Sequence, residues 1–214
     1  HSGVEASQIA MDKIKSAEVF NKNNFFHPKT YLIKINEINK QNFFEYPFVL
    51  KPRSEGSSVG VGIIRSKSEK ENYIQENMFR KEVLIQQFIK GPEINVAIFG
   101  NNKKGSLEID PKNEFYDYES KYFDKGQTKH IIPPRLNDDQ VKEVEKLALN
   151  AHHLIGCKGI SRIEFILDSS SKQFYILELN TQPGMTPTSL VPEIAKYHGV
   201  DFDDLIKWMI EDAK

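Results

Sequence analysis

Two short segments late in the chain alternate between polar and apolar residues, and this alternation constrains the fold most. They read SRIEF at residues 161–165 and LELN at residues 177–180, with a DSSSK turn between them. Successive side chains of a strand point to opposite faces. Ile163 and Phe165 therefore share one face, and Arg162 and Glu164 share the other. The pattern predicts an antiparallel hairpin with an apolar face and a polar face.

The polar face of this hairpin would bring together one arginine, two carboxylates and an amide oxygen, from Arg162, Glu164, Glu178 and Asn180. Oxygen ligands of this kind suit Mg²⁺, which in proteins usually accompanies a nucleotide phosphate. The alternative is a solvated strand face with a cross-strand ion pair between arginine and glutamate. The hairpin alone leaves both interpretations open.

A loop rich in glycine and serine, KPRSEGSSVGVG at residues 51–62, separates two apolar runs that predict strands. Glycine permits positive φ angles and close backbone approach, and serine adds hydroxyl donors. Such a loop can wrap an anion with its backbone N–H groups, although a polar hairpin turn has a similar composition. A phosphate-binding loop and a magnesium site require each other, so the loop favours the metal interpretation of the hairpin.

A third element would complete a nucleotide site. The backbone amides of a strand at residues 86–89 could pair with the edge of an adenine, and Glu93 could accept hydrogen bonds from ribose hydroxyls. The alternative is an ordinary strand that carries apolar core residues.

The remaining pattern predicts an α+β fold with mostly antiparallel strands. We expect a capping box formed by Ser68 and Glu71, and two lobes at residues 1–87 and 88–214. The predicted helices lie at residues 5–20, 68–80, 137–154, 190–198 and 202–212, and the predicted strands at residues 30–35, 46–51, 61–65, 82–89, 93–99, 106–110, 159–167 and 173–179.

Composition excludes several classes of protein. Of 214 residues, 39% are hydrophobic and 28% charged, as in a globular protein, and the net charge of −1 provides no field for nucleic acid. No apolar stretch approaches the ~20 residues of a membrane helix. The single cysteine, Cys157, fits a reducing cytoplasm. The chain contains no GxxxxGK[ST] string, which argues against a P-loop NTPase.

These motifs together resemble the D-alanine–D-alanine ligases, a family of the ATP-grasp superfamily. The combination of KP-EGSSVG with LE-NT-PGMT-SL is specific to that family, and the matching strings follow its order over nearly the whole chain. The strings are SGV-AS-AMDK at 2–13, KPRSEGSSVGVG at 51–62, EVLIQQFIKGPE at 82–93, FYDYESKY at 115–122, GCKGISRIEF at 156–165 and LELNTQPGMTPTSLVP at 177–192.

The resemblance implies the ATP-grasp fold, in which two lobes with largely antiparallel sheets hold ATP in the cleft between them. It implies Mg²⁺ or Mn²⁺ as cofactor, with two metal ions, and two D-alanine molecules as substrates. The implied metal ligands are Glu164, Glu178 and Asn180. The implied ATP ligands are Lys13, Lys51, Ser57 and Ser58 for the phosphates, Gln86, Gln87, Phe88 and Ile89 for the adenine, and Glu93 for the ribose.

For the substrates, the resemblance implies that Arg162 and Ser58 act on the reacting groups and that Gly184, Ser189 and Leu190 form the D-alanine end of the site. Residues 116–134 resemble the family's lid, in which Lys121 and Tyr122 face the substrates. A tyrosine at Tyr122 accompanies amine acceptors in the family, so we expect a dipeptide product. D-lactate remains the alternative acceptor.

The chain departs from the family pattern in a few places. Glu164 stands where aspartate is common, and Gln86 stands where glutamate is common. The chain starts at His1 rather than at methionine and has no counterpart of the family's N-terminal domain, so we expect a part of a longer, homodimeric protein. An alternative is a module that binds ATP without turning it over.

Overall fold

The fold is α+β and is built around two antiparallel sheets. The computed structural model describes residues 1–56, 59–100, 103–110 and 128–213. Within these ranges the helices are α1 Val4–Met11, α2 Lys13–Lys22, α3 Lys67–Glu76, α4 Asp138–Ile155, α5 Leu190–Tyr197 and α6 Phe202–Asp212, with a 3₁₀ helix at Ile35–Lys40. The strands are β1 Thr30–Lys34, β2 Phe48–Lys51, β3 Gly62–Ile64, β4 Glu82–Gln87, β5 Glu93–Phe99, β6 Lys103–Asp110, β7 Lys129–Ile131, β8 Ile160–Leu167 and β9 Phe174–Asn180.

The strands divide between the sheets at the connection from β4 to β5. The first sheet has the order β1-β4-β2-β3 and the second has the order β7-β6-β5-β8-β9. Every strand pair in the described ranges is antiparallel. This topology confirms the predicted α+β class with mostly antiparallel strands.

The predicted hairpin is present as β8 and β9. Arg162 pairs with Asn180 and Glu164 pairs with Glu178, and a register shift follows at Phe165. The four polar residues therefore share one face at the edge of the second sheet, as the alternation predicted. The apolar residues between them, among them Ile163, are buried in the core beneath.

Helix α4 covers the other face of the second sheet. Its apolar stripe, which includes Val144 and Ala148, packs against Ile94 and Ile163 of the sheet in one buried cluster. The helix begins with a capping box between Asn137 and Gln140, three residues further on. Helices α5 and α6 close the opposite face around Leu107 and Ile109 of β6.

The helical pattern predicted for residues 5–20 is interrupted at Asp12. Asp12 ends α1 and caps α2, because its side chain accepts hydrogen bonds from the backbone N–H groups of Ile14 and Lys15. Aspartate is among the preferred N-cap residues, so the break had a local signal within the apolar periodicity. The chain turns here, and Lys13 becomes the first residue of the second helix.

The predicted capping box of α3 is wrong. The N-cap is Ser66, two residues earlier, and its hydroxyl accepts a hydrogen bond from the backbone N–H of Glu69. The Glu69 carboxylate in turn accepts from the backbone N–H of Arg65. Both Ser-x-x-Glu pairs occur in the sequence, and spacing alone does not separate them.

The N-terminal helices pack with the second sheet. Ala6, Ala10 and Phe20 lie in the same buried cluster as Ile94 and Phe165. The first sheet has its own core, which includes Leu50 and Val83. The predicted division into residues 1–87 and 88–214 stays a prediction, and the packing places α1 and α2 beside the elements of the second lobe.

Two boundaries around β6 differ from the predicted ones. The strand begins at Lys103, where the sequence predicted a turn, and β7 lies at residues 129–131, inside the predicted lid. The part of the predicted lid at residues 116–127 lies outside the described residues. None of the helices in the described ranges has the length and apolar composition that crossing a membrane requires.

Candidate functional site

A cleft of about 870 Å³ lies between the two sheets, a size that suits a small-molecule ligand. Both lobes contribute to its wall, since β2, β3 and β4 line one side and β5, β8 and β9 line the other. The cleft includes many of the side chains predicted for ATP and metal, which are Lys13, Lys51, Gln86, Gln87, Phe88, Ile89, Glu93, Glu164 and Glu178. Distant parts of the sequence thus converge on one cavity.

Lys13 starts helix α2 and reaches across to both lobes. Its ammonium Nζ donates to the main-chain carbonyl of Glu55 at 2.7 Å and lies 3.7 Å from a carboxylate oxygen of Glu178. The residue is largely buried. Because Glu55 belongs to the glycine- and serine-rich loop and Glu178 to β9, this one cation joins the loop to the acidic hairpin.

Lys51 ends strand β2 and is buried at the base of the cleft. Burial, reinforced by the charge of Lys13, lowers its pKa from 10.5 to about 8, against the opposing attraction of Glu178 and Glu164. A cation held in this setting gains from any anion that enters the cleft. The pair of lysines therefore makes the cleft suited to a polyanion such as a triphosphate.

The acidic residues of the hairpin meet these cations. Glu164 and Glu178 lie opposite each other across the β8–β9 pair, where two like charges repel unless they are compensated. Arg162 donates to Glu164, and Lys13 lies near Glu178. The charges of Glu164, Glu178 and Glu93 outweigh burial and raise the pKa of Arg162.

The donor set of the hairpin fits a magnesium ion. Two carboxylates and the amide oxygen of Asn180 are hard oxygen ligands, and Mg²⁺ is usually held by one or two carboxylates together with substrate phosphates. The Asn180 oxygen accepts a hydrogen bond from the backbone N–H of Gln182. Within the described ranges, no group of three His, Cys, Asp or Glu side chains converges as a metal site, so any ion here would depend on oxygens from a ligand.

Arg162 has further donor capacity. Its Nε is buried, and no partner for this atom lies among the described residues. A buried donor without an acceptor is costly unless a ligand supplies one. Arg162 does not itself line the cleft, so its direct contact with a substrate stays a prediction.

The side chains of the last two residues of β4 form hydrogen bonds with Thr30 of β1 and with Lys29 just before it. Gln86 donates to the Thr30 hydroxyl at 2.7 Å, and Gln87 accepts from the backbone N–H of Lys29 at 3.4 Å. Gln86 is therefore held at the cleft wall by its own sheet. Apolar side chains surround this end of the cleft, from Val49, Ile63, Ile89, Ile166 and Leu177. Such walls suit the faces of a purine ring.

Asn95 is a residue of the site that the sequence reasoning missed. It lies on β5 opposite Glu164, it is fully buried, and its amide donates to the Glu93 carboxylate at 3.0 Å. It therefore orients the carboxylate predicted to bind ribose. A buried asparagine between the apolar residues Ile94 and Val96 was the signal that could have identified it.

A second missed group is the ion pair of Glu108 and Arg135 at the cleft wall. The arginine donates through Nε to one Glu108 oxygen at 3.0 Å and through its backbone N–H to the other at 2.9 Å, while Asp110 lies 3.3 Å from its Nη2. These residues are far apart in sequence and follow no motif, so no local signal indicated the pair.

The residues predicted for the D-alanine end form a compact turn before α5. The Ser189 hydroxyl accepts from the backbone N–H of Thr186 at 3.1 Å, and a Cβ placed on Gly184 would lie 3.0 Å from that hydroxyl. Leu190 has its side chain in the buried cluster beneath the second sheet. Any contact of Leu190 with a substrate would therefore come from its backbone.

Four predicted residues lie outside the described ranges, namely Ser57, Ser58, Lys121 and Tyr122. The two ends of the loop that carries the serines are described and are held in place. Glu55 forms an ion pair with Arg80, and the Tyr73 hydroxyl donates to the Gly60 carbonyl at 2.7 Å. These contacts set where the loop leaves and rejoins the first sheet.

Comparison with known proteins gives a consistent result. Residues 14–211 match the family described as "D-ala D-ala ligase C-terminus". The D-alanine–D-alanine ligase of Pelagibacter ubique is 45% identical over 224 residues, and the match covers all of this chain and 71% of that protein.

Solved structures agree with the sequence matches. The D-alanine–D-alanine ligase of Bacillus anthracis complexed with ATP superposes with a TM-score of 0.79 at 27% identity, covering 99% of this chain and 68% of that one. The VanG D-Ala:D-Ser ligase of Enterococcus faecalis superposes with a TM-score of 0.81 at 26% identity. The match covers 98% of this chain and 63% of that one. These neighbours are therefore similar to this chain in fold over nearly its whole length.

Proposed function

The chain belongs to the D-alanine–D-alanine ligase family, and from that membership we propose that it joins two D-alanine molecules at the expense of ATP. The product, D-alanyl-D-alanine, serves peptidoglycan precursor synthesis. The observation that carries this proposal is the cleft in which Lys13 and Lys51 face Glu164 and Glu178. ATP would occupy this cleft with its triphosphate beside the two lysines.

The first step we propose is phosphoryl transfer. A carboxylate oxygen of the first D-alanine attacks the γ-phosphorus of ATP, the bond to the β,γ-bridging oxygen breaks, and ADP leaves. Such transfer asks a protein mainly for positioning and for neutralisation of charge. Lys13 and Lys51 supply two positive charges at the cleft, and the guanidinium of Arg162, beside Glu164, is the donor that we assign to the oxygens of the transferred group.

The second step is acyl transfer. The amine of the second D-alanine attacks the carbonyl carbon of the D-alanyl phosphate, loses a proton, and displaces phosphate from the tetrahedral intermediate. Preorganised donors stabilise the oxyanion that develops at the carbonyl oxygen. Arg162 and the backbone near Gly184 are the residues we assign to this task, and the predicted lid would exclude water that hydrolyses the acyl phosphate.

Magnesium would be held by Glu164, Glu178 and Asn180, and it would supply charge neutralisation at the phosphates. The remaining polar groups of the cleft position the nucleotide. Glu93, oriented by Asn95, suits the ribose hydroxyls.

The test is a product assay with purified protein, ATP, Mg²⁺ and D-alanine. We expect equal amounts of ADP and D-alanyl-D-alanine, and we expect both to disappear in Lys51→Met. Binding of ATP without release of ADP would leave only the nucleotide-binding alternative, and release of ADP without dipeptide would contradict the proposed ligation. Absence of any ATP turnover or binding would contradict the proposal.

The acceptor can be determined in the same assay, because one structural neighbour is a D-Ala:D-Ser ligase. D-alanine, D-serine and D-lactate would be supplied in turn as the second substrate with D-alanine as the first. From the tyrosine at position 122 we expect the dipeptide with D-alanine to form fastest. Faster formation of the ester with D-lactate would contradict this expectation.

A further inference from the structure

The contacts around Lys13 include an ion pair that the proposed reaction does not use. Arg53, two residues after the buried Lys51, donates to the carboxylate of Asp12. Its Nε lies 3.1 Å from Oδ1 and its Nη2 lies 2.8 Å from Oδ2. Two such parallel bonds form the geometry in which arginine binds a carboxylate most strongly.

The pair is continuous with contacts made by the residues on either side. The backbone N–H of Lys13 donates to the carbonyl of Arg53 at 3.2 Å, and the Lys13 ammonium donates to the carbonyl of Glu55 at 2.7 Å. Residues 12–13 and residues 53–55 are thus joined by side-chain and main-chain bonds in three places. Their relative position leaves Lys13 little freedom.

These contacts also connect elements that belong to different cores. Asp12 caps α2, whose residue Phe20 is buried against the second sheet. Arg53 follows β2, whose Leu50 is buried in the core of the first sheet. Arg53 has a further contact within the first sheet, since its Nη1 lies 3.4 Å from Glu82 on β4. The ion pair therefore fixes α2 relative to the first sheet.

We propose that Arg53, through Asp12, is a positioning residue that holds the Lys13 ammonium at the phosphate end of the cleft. This rests on the proposed function, because it assumes that the cleft binds ATP through Lys13. Arg53 itself does not line the cleft. Its effect on ATP would be indirect and confined to the phosphates.

The test compares ATP with adenosine, which shares the base and ribose but has no phosphate. Calorimetric titration of purified Arg53→Met with each ligand in Mg²⁺ should show about tenfold weaker binding of ATP, the scale of one charge-assisted hydrogen bond. Adenosine should bind within about twofold of the unmodified protein. Equal loss for both ligands would show general damage to the lobe and would overturn the proposal.

A double-mutant cycle sharpens this test. In a Lys13→Met background, Arg53→Met should weaken ATP binding no further, because the group that it positions is already gone. Additive losses would show that Arg53 acts independently of Lys13 and would overturn the proposal. The ATP affinity of Arg53→Lys should lie between those of the unmodified protein and Arg53→Met, because lysine keeps the charge but cannot form the two parallel bonds.

A matched control is Lys67→Met, which removes a cation from an exposed ion pair with Glu71 on α3. Its affinity for ATP should equal that of the unmodified protein. If the unmodified protein fails to bind ATP, the proposed function falls and this inference with it. If it binds ATP and Arg53→Met binds ATP equally well, only this inference falls.

Discussion

At the scale of single residues, the cleft is defined by how its cations are held. Lys13 has a main-chain carbonyl as acceptor and a carboxylate nearby, whereas burial dominates the environment of Lys51. His27 is buried beside this region, and burial together with the charge of Lys51 lowers its pKa to about 4. It therefore stays neutral at pH 7, and the positive charge at the base of the cleft comes from the lysines.

The environment of Lys51 predicts opposite effects of one substitution on stability and on binding. A cation whose pKa is lowered by burial destabilises the folded protein at neutral pH. Lys51→Met should raise the free energy of unfolding without ligand by roughly 1–3 kcal/mol, and it should weaken ATP binding. Urea unfolding at pH 7 and an ATP titration measure the two effects. A variant that is less stable than the unmodified protein would contradict this account of Lys51.

The second prediction at this scale concerns Arg162. If its guanidinium stabilises the reacting oxygens, Arg162→Ala should lower the rate of dipeptide formation on the order of 10²–10³-fold, the scale for losing one such donor. Arg162→Lys should recover only part of the rate, because lysine lacks the planar fork of donors. Unchanged turnover by Arg162→Ala would show that the arginine serves only to compensate Glu164.

The placement of the hairpin residues was predictable at this scale, and the reason is the local alternation of polar and apolar residues. Alternation placed Arg162 and Glu164 on one face, and the structure brings Glu178 beside them. Asn95 and the ion pair of Glu108 and Arg135 could not be predicted in the same way. Asn95 was marked only as a polar residue between Ile94 and Val96, whereas Glu108 and Arg135 lie 27 residues apart, and a single sequence does not specify their contact.

At the scale of secondary-structure elements, turns and caps decide how the strands and helices reach the cleft. The turn at residues 90–92 carries the chain from the first sheet to the second. Two hydrogen bonds join this turn to the end of β8. The backbone N–H of Leu167 donates to the carbonyl of Pro92, and that of Ser169 donates to the carbonyl of Lys90. The end of the cleft proposed for the adenine therefore depends on this turn.

The turn has no room for a side chain at Gly91, and this leads to a prediction. A methyl group on Gly91 would overlap the carbonyl oxygen of Leu167, which is main chain and cannot rotate away. Gly91→Ala should therefore destabilise the protein by at least about 1–3 kcal/mol and weaken ATP binding. Thermal unfolding and ATP titration measure both effects.

The matched control is Gly3→Ala, since no heavy atom lies within 4 Å of a Cβ at that position. We expect its ATP affinity to match that of the unmodified protein, and its stability to fall by at most about 1 kcal/mol, because Gly3 is the N-cap of α1 and alanine is less favourable there. A Gly91→Ala variant as stable as this control would show that the turn can move.

The contact between α4 and β8 predicts a pH dependence of stability. His152 is fully buried and its Nδ1 lies 2.7 Å from the Ser161 hydroxyl. Burial, with a smaller effect of His153, lowers its pKa from 6.5 to about 4. Between these pH values the unfolded chain binds more protons than the folded one, so stability present above pH 6.5 is lost as the pH falls.

His152→Phe should reduce this loss, because it removes the buried group that must accept a proton. The reduction is on the order of 3 kcal/mol between neutral pH and pH 4. Urea unfolding at several pH values measures this reduction. The control is His198→Gln at an exposed histidine, which should lose as much stability on acidification as the unmodified protein. Parallel pH profiles for His152→Phe and the unmodified protein would contradict the assignment.

Most elements could be predicted from periodicity, and the errors have physical causes. Strand β5 and helix α6 have the predicted bounds. The break at Asp12 was missed because the apolar spacing of residues 5–20 continues through it. Lys103 was missed as the start of β6 because Asn101 and Gly105 together indicate a turn, while pairing with Phe99 extends the strand.

At the scale of the whole molecule, the proposed function depends on how the two sheets face each other. Local patterns do not encode that arrangement, and the family resemblance supplied it. The packing of α1 and α2 on the second sheet was not predicted, since Ala6 and Phe20 meet Ile94 and Phe165 only in the folded chain. This packing places Lys13 between the lobes.

The most direct test of the account is a crystal structure with a non-hydrolysable ATP analogue and Mg²⁺. We predict density for the nucleotide between the sheets, with its phosphates at hydrogen-bond distance, about 2.7–3.2 Å, from Nζ of Lys13 and of Lys51. A metal ion should lie between these phosphates and the carboxylates of Glu164 and Glu178. A nucleotide bound elsewhere, with both lysines and both carboxylates away from its phosphates, would contradict the account.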